Sequence, residues 1–182
     1  MLDDDTINSF VYGNDIWVNN AAGYNGNHVE IFNLLALCKN NKKVHVPLSY
    51  GIPKYAKYVE VMGSKILGTT FDPILEFIPK QEYYKRFLNS NSFIFGHLRQ
   101  CAMGNVIIAL YLGGKVFMYS ANPLFSHFKR LGVKVFSIDE ELLESNLNTP
   151  LPNEERESNR RINMNKYSLD SLLNEIRNNF AR

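Results

Sequence analysis

The 182-residue chain, with a mass of 20.9 kDa, is about as long as one domain of ~150 residues. Its composition, 45% hydrophobic, 13% aromatic and 21% charged, excludes wholesale disorder, and a formal net charge of +2 is too small to indicate a nucleic-acid partner. The longest apolar run, Val106 to Leu112, is far shorter than the ~20 residues of a membrane span.

The cellular compartment is predicted from the first residues and the cysteines. The first ten residues carry three consecutive aspartates and no apolar stretch typical of a signal peptide. The two cysteines, Cys38 and Cys101, are far apart in sequence and form no CxxC pair. We therefore expect a cytoplasmic protein in which both thiols are free.

In the first half of the chain, short apolar runs alternate with segments of helical periodicity. Helices are predicted from about Val29 to Cys38, from Pro53 to a stop at Gly63, and over 79–91. The predicted strands and extended segments are Asp15–Val18, Lys43–Pro47, Lys65–Leu67 and Ile74–Phe77.

The second half of the chain repeats this alternation. The predicted strands are Ser92–Phe95, Lys115–Tyr119 and Lys134–Ser137, and the predicted helices are Ala102–Leu112, Asn122–Leu131 and a short one over Glu140–Ser145. Such alternation is typical of βαβ units with right-handed crossovers. The predicted fold class is therefore α/β, with a parallel sheet flanked by helices on both faces.

The composition changes near residue 147, where asparagine, proline and charged residues become frequent. This stretch is predicted to be a linker or an extended arm, followed by a helix over about Leu169–Phe180 that packs on the domain or on a partner. We therefore divide the chain into a domain over 1–146 and an arm with a C-terminal helix over 147–182.

Polar and small residues concentrate after the predicted strands, at one edge of the sheet. Ligands of open parallel sheets bind beyond the carboxyl ends of the strands, so this edge is the expected ligand site. The turns at the other edge are mostly lysine, asparagine and glycine. The candidate binding residues are Asn20, Asn27, His28, Ser49, Tyr50, Gly51, Arg99, Gln100, Gly104, Asn105 and Asn122.

One segment of this edge predicts an anion site. A polar connector that contains Arg99 precedes a very apolar helix that begins near Gly104. Free N–H groups in the first turn of the helix, the helix dipole and a bidentate arginine would together bind a phosphate. The same pattern also fits a buried helix with a glycine for close packing and a surface arginine, and spacing alone favours that interpretation.

Several well-known sites are not indicated by the sequence. It contains neither the GxGxxG pattern of dinucleotide-binding proteins nor the GxxxxGK[ST] pattern of P-loop proteins. Four scattered histidines and two distant cysteines do not predict a metal site, so we expect none. His45, which lies between Val44 and Val46 in a predicted strand, is interpreted as structural.

The order of several motifs resembles the bacterial 4-alpha-L-fucosyltransferase family, whose members are TDP-N-acetylfucosamine:lipid II N-acetylfucosaminyltransferases of enterobacterial common antigen synthesis. The likeness extends over about residues 13–140. Its motifs are Asn19-Asn20-Ala21-Ala22, Asn27-His28, Pro47-Leu48-Ser49-Tyr50-Gly51, Arg99-Gln100 with Gly104, and Asn122-Pro123-Leu124-Phe125. The first motif departs from the family, in which the loop begins Gly-Asn.

The resemblance implies a GT-B glycosyltransferase, in which two Rossmann-like domains face each other across a cleft. This chain resembles only the C-terminal half, which binds the nucleotide sugar. Arg99 would stabilise the departing TDP, and the donor pocket would be lined by Asn20, His28, Ser49 and Tyr50. The diphosphate would be held without an essential metal. No catalytic base is identified, because the acceptor half usually supplies it.

The resemblance also implies partners and a location. The donor would be a TDP-sugar, and the acceptor a lipid-linked saccharide that reaches the site through an N-terminal half or another chain. We expect a cytoplasmic location with peripheral contact at the inner membrane face, and no nucleic-acid partner. The alternative is a non-catalytic nucleotide-sugar-binding or assembly module that requires a separate acceptor subunit.

Overall fold

A computed structural model describes residue 11 and residues 13–39 and 41–168 of the chain. In this part, six parallel strands form one sheet with the order β3-β2-β1-β4-β5-β6. The strands are β1 (Asp15–Val18), β2 (Val44–Pro47), β3 (Phe71–Ile74), β4 (Ser90–Phe95), β5 (Lys115–Met118) and β6 (Phe136–Ser137). The predicted parallel sheet is confirmed.

Helices connect the strands and cover the sheet on both sides. They are α1 (His28–Leu37), α2 (Pro53–Leu67), α3 (Lys80–Asn89), α4 (Met103–Tyr111), α5 (Pro123–Arg130), α6 (Ile138–Glu141), α7 (Glu144–Asn148) and α8 (Asn153–Tyr167). Short 3-10 turns occupy Tyr24–Gly26 and Gly68–Thr70. No helix among the described residues is long and apolar enough to cross a membrane.

The strands are buried on both faces, as expected for a parallel sheet between two helical layers. Successive side chains of a strand point to opposite faces, so Ile16 and Val18 join the core beneath α1 and α2. Trp17 between them joins the second core with Phe93 and Phe95, beneath α3, α4 and α5. The two cores fix the face from which each helix leaves the sheet.

The third strand lies elsewhere than predicted. Residues 65–67 form the last turn of α2, and Gly63 lies inside that helix instead of ending it. A Cβ at Gly63 would lie 2.3 Å from the Phe71 ring, so this glycine permits close packing between α2 and β3. The strand begins at Phe71 and contains Pro73, which is tolerated because β3 is an edge strand.

The extended arm predicted from residue 147 is wrong over Asn153–Tyr167, which is helical and packs against α4. Asn159 accepts a hydrogen bond from the Lys134 N–H (2.8 Å) and donates one to the Lys134 carbonyl (3.1 Å). Arg160 donates from Nε to the Tyr111 carbonyl at 2.9 Å. The polar residues that indicated a linker therefore attach this helix to the domain. The helix predicted over Leu169–Phe180 lies outside the described residues.

Candidate functional site

We call the region beyond the carboxyl ends of β1 and β4 the crevice, because the order of the strands reverses there. Strands β1 and β4 are neighbours, but the chain continues from β1 through α1 to β2 on one side and from β4 through α4 to β5 on the other. The two helices therefore leave the sheet on opposite faces, beyond the carboxyl ends of adjacent strands. This topological switch point is where open α/β sheets bind ligands.

Asn19 builds the floor of the crevice. It follows β1, is fully buried, and has a left-handed backbone with φ of 58°. Its Nδ2 donates to the Gly26 carbonyl (2.7 Å), and its Oδ1 accepts from the Gly96 N–H (2.9 Å). Asn27 donates from Nδ2 to the Gly96 carbonyl at 2.7 Å. One strand end, the first loop and the end of β4 are thus held together by side-chain amides.

The loops that follow β1 and β2 are joined by backbone hydrogen bonds. The Ala22 N–H donates to the Tyr50 carbonyl (2.7 Å), and the Ile52 N–H donates to the Ala22 carbonyl (2.9 Å). Gly51 has φ of +118°, and a Cβ there would lie 2.5 Å from the Ala22 carbonyl oxygen. Only glycine fits this approach. The predicted residues Ser49 and Tyr50 are exposed on this joined rim.

The start of α4 is exposed at Gly104. Its N-cap residue, Ala102, has a left-handed backbone and makes no side-chain capping hydrogen bond. At Gly104 an added Cβ would meet nothing within 4 Å. The first N–H groups of a helix have no partner within the helix and carry the positive end of its dipole. This helix start is therefore chemically suited to an anion.

Arg99 is exposed on the loop before α4. With the Asn25 amide oriented so that both groups are satisfied, its Oδ1 accepts from Arg99 Nε at 3.0 Å and from Arg99 Nη2 at 3.3 Å. This contact joins the first loop to the β4 loop across the crevice. Asn25 lies in the polar first loop, but no sequence pattern distinguishes it from its neighbours, because its partner lies 74 residues away.

Asn122 has a positioning role. It is buried, and its Oδ1 caps α5 by accepting from the Leu124 N–H at 2.9 Å. Its Nδ2 donates to the carbonyls of His97 (2.7 Å) and Arg99 (3.1 Å). The side chain that caps the start of α5 thus also fixes the loop that carries Arg99. By contrast, α1 and α4, which flank the crevice, begin without a side-chain cap.

Two histidines lie buried at this edge. Burial, together with the neighbouring His97, lowers the pKa of His28 from 6.5 to about 4, and burial with Arg99 lowers that of His97 from 6.5 to about 4. Both rings are therefore neutral at pH 7. His28 Nδ1 lies 3.3 Å from the Tyr55 hydroxyl, whereas His28 Nε2 and His97 Nδ1 have no hydrogen-bond partner among the described residues.

The remaining predicted residues, Asn105, Asn20 and Gln100, differ in whether their side chains contact other parts of the fold. Asn105 donates from Nδ2 to the Tyr83 hydroxyl at 2.7 Å, so its amide is engaged by α3. Burial raises the pKa of that hydroxyl to about 12. Asn20, which is half-buried, and Gln100, which is exposed, lie on the same edge as the crevice. The candidate residues whose side chains define the crevice are thus Asn27, His28, Arg99 and Asn122.

Comparison with known proteins shows the fold. No protein-family model matches the chain, and no curated protein matches it by sequence. It is similar to the solved structure of AviGT4, a glycosyltransferase involved in avilamycin A biosynthesis, with TM-score 0.68, 12% identity, and coverage of 94% of this chain and 52% of that one.

Two further structures are similar. A glycosyltransferase from Rickettsia africae ESF-5 has TM-score 0.71 and 14% identity, over 96% of this chain and 50% of that one. The catalytic domain of cholesterol-alpha-glucosyltransferase from Helicobacter pylori has TM-score 0.56 and 13% identity, over 89% of this chain and 99% of that one. The chain spans about half the length of the first two. Its fold is the Rossmann-like α/β fold of GT-B glycosyltransferases.

Proposed function

We propose that the chain is the donor-binding half of a glycosyltransferase and that the crevice holds the diphosphate of a nucleotide sugar. The observation that carries the proposal is the uncapped start of α4, open at Gly104 and preceded by Arg99, at the switch point of the sheet. Backbone N–H groups supply donors for phosphate oxygens, and a guanidinium adds a bidentate contact. We expect these donors to hold the diphosphate without an essential metal.

The proposed contribution to catalysis is stabilisation of the leaving group. In the transfer, the bond between the anomeric carbon and the phosphate oxygen breaks, and its electron pair leaves with the nucleoside diphosphate. An acceptor hydroxyl forms the new bond and gives its proton to a base from outside this half. Backbone N–H groups at the start of α4, together with the Arg99 guanidinium, would stabilise the charge that develops on the diphosphate.

The finer assignment is a TDP-linked deoxy-amino sugar of the N-acetylfucosamine type, transferred to a lipid-linked saccharide in surface polysaccharide synthesis. Its support is the order of motifs that resembles the 4-alpha-L-fucosyltransferase family. The acceptor side would come from an N-terminal half or a separate chain, with peripheral contact at the inner membrane face. Because the chain spans about half of its structural neighbours, a binding or assembly module that acts through another subunit is the second candidate.

Both candidate functions require that the chain binds a nucleoside diphosphate, and calorimetric titration with TDP and UDP tests this binding. The Arg99→Ala variant is expected to bind both about tenfold or more weakly, because a charge-assisted hydrogen bond is lost. Arg130→Ala, at the exposed far end of α5, is the matched control and is expected to bind like the wild type. Unchanged affinity in Arg99→Ala would remove the phosphate role.

A transfer assay separates the two candidate functions. The isolated chain is incubated with a nucleotide sugar and a lipid-linked acceptor, with and without a candidate acceptor subunit. Activity of the chain alone supports a complete transferase, and activity only after the second protein is added supports the module.

A further inference from the structure

The two buried histidines of the crevice share an unusual state. His28 is the first residue of α1 and is 0% exposed, and His97, two residues beyond β4, is 4% exposed. Each has one buried ring nitrogen without a hydrogen-bond partner among the described residues, namely His28 Nε2 and His97 Nδ1. Buried polar atoms of this kind are rare, and each costs about 1–3 kcal/mol.

Two other buried side chains at this edge are satisfied, whereas the Tyr119 hydroxyl, directly after β5, has no hydrogen-bond partner among the described residues. Asn19 uses both atoms of its amide, and Asn122 caps a helix and binds two carbonyls. The side-chain amides that join the loops of this edge are thus satisfied. The two unsatisfied nitrogens indicate that the crevice completes its hydrogen bonding with a bound molecule.

The charge state of the pair restricts the chemistry of that molecule. Both rings are neutral at pH 7, and a neutral imidazole has one donor and one acceptor nitrogen. A hydroxyl group both donates and accepts, so it complements such a pair. Phosphate oxygens only accept, and the start of α4 and Arg99 already supply donors for them.

The first loop covers the His28 ring. A Cβ at Gly26 would lie 2.6 Å from His28 Cε1, so the turn Tyr24–Gly26 lies directly against the imidazole edge. The same turn contains Asn25, whose amide contacts Arg99. A diphosphate that binds Arg99 through Nε and Nη2 would therefore compete with the Asn25 amide.

We propose that His28 Nε2 and His97 Nδ1 together bind one hydroxyl group of the nucleotide sugar, next to its diphosphate, with Tyr55 orienting the His28 ring. This inference rests on the proposed donor site. The hydroxyl belongs either to the transferred sugar or to the sugar of the nucleoside. The pair determines specificity, whereas Arg99 and the start of α4 supply general affinity for the diphosphate.

Calorimetric titrations with inorganic pyrophosphate, TDP and TDP-glucose test the proposal. In His97→Leu and His28→Leu, TDP-glucose is expected to bind about five- to tenfold more weakly, the effect of one lost hydrogen bond. Pyrophosphate is expected to bind within about twofold of the wild type, because it has no hydroxyl. His97→Asn and His28→Gln, which keep a polar atom near Nδ1 and Nε2 respectively, are expected to restore most of the affinity.

TDP distinguishes the two sources of the hydroxyl. A loss with TDP-glucose alone places the sugar hydroxyl at the pair, and an equal loss with TDP places the nucleoside hydroxyl there. Equal affinities of wild type and Leu variants for all three probes would overturn the proposal, as would an equal loss with pyrophosphate. Thermal unfolding of each variant confirms that it is folded.

The same titrations separate this inference from the proposed function. Binding of TDP that depends on Arg99 but not on either histidine would overturn the histidine subsite and leave the donor site in place. If the wild-type chain binds none of the three probes, both proposals fail together. Arg130→Ala again serves as the variant expected to leave every affinity unchanged.

Discussion

Buried histidines at the two edges of the sheet differ in the hydrogen bonding of their ring nitrogens. Toward the amino ends of the strands, His45 has Nδ1 2.6 Å from Asp72 Oδ2 and Nε2 3.0 Å from Asp15 Oδ2. Arg86 adds a contact of 3.2 Å to the same Asp72 oxygen. At the carboxyl edge, His28 and His97 each keep one ring nitrogen without a partner among the described residues. The comparison separates a histidine whose two ring nitrogens are both used by the fold from two histidines that each have one unused ring nitrogen.

Buried lysines of the amino edge follow the same rule as His45. Lys115 donates from Nζ to the carbonyls of Asn146 (2.8 Å) and Thr149 (2.9 Å), and Lys42 donates to the carbonyl of Leu147. Burial lowers the pKa of both lysines. These side chains hold the end of α7 against the sheet. The buried polar groups of this edge therefore make hydrogen bonds within the fold.

The largest expected effect comes from replacing a buried histidine by leucine at each of the two edges. His45→Leu is expected to lower the free energy of unfolding by about 2–3 kcal/mol, because Asp15 loses its imidazole partner and Asp72 keeps only Arg86. His97→Leu at pH 7 is not expected to lower it, since the variant removes a buried polar atom that makes no hydrogen bond. Urea unfolding of both variants checks this difference, and equal losses would contradict the comparison.

The second effect is a dependence of stability on pH. His28 and His97 have pKa values of about 4 in the folded protein, below the ordinary 6.5. The unfolded chain therefore binds protons that the folded protein does not, and stability falls as the pH drops from 6.5 toward 4. Each histidine is expected to cost about 2 kcal/mol at pH 5.

Urea unfolding at pH 7 and pH 5 measures this dependence. The loss of stability between the two pH values is expected to be smaller in His97→Leu than in the wild type by about 2 kcal/mol. The control is Arg130→Ala, which retains both histidines and is expected to lose as much stability as the wild type. Parallel losses in the wild type and His97→Leu would show that His97 is not held neutral by the crevice.

The smallest effect concerns Gly104. Gly104→Ala is expected to raise the free energy of unfolding by about 0.5–1 kcal/mol, because glycine is a poor helix former and a Cβ there meets open space. Gly104→Asp is expected to stabilise by a similar amount through its favourable charge at the helix start. Thermal unfolding measures both changes, and destabilisation by alanine would show that a Cβ at this position meets other atoms.

Periodicity and turn residues predicted most of the sheet and the edge that carries the crevice. They did not predict the extension of α2 through Gly63, because that glycine serves packing against Phe71, which a sequence pattern does not reveal. The helix α8 was missed because Asn159 and Arg160 resemble linker residues until their partners, 25 and 49 residues away, are known.

Only part of the candidate site could be predicted from the sequence, because the roles of its side chains also depend on distant partners. Loop composition indicated Asn27, His28 and Arg99, all of which lie at the switch point. Whether an asparagine binds a ligand or supports a loop depends on its distant partners, and the structure shows Asn122 supporting a loop and Asn105 engaged by Tyr83. The sequence therefore predicts the edge of the sheet at which the candidate residues lie better than it predicts what each side chain does there.

The affinity of Gly104→Asp for TDP tests the central claim most directly. A carboxylate at the start of α4 is expected to repel a diphosphate and to weaken TDP binding about tenfold or more relative to Gly104→Ala, while the fold is at least as stable. Calorimetric titration of the two variants under identical conditions provides the comparison. Equal affinity for TDP in the two variants would contradict the account, because the anion would then bind elsewhere.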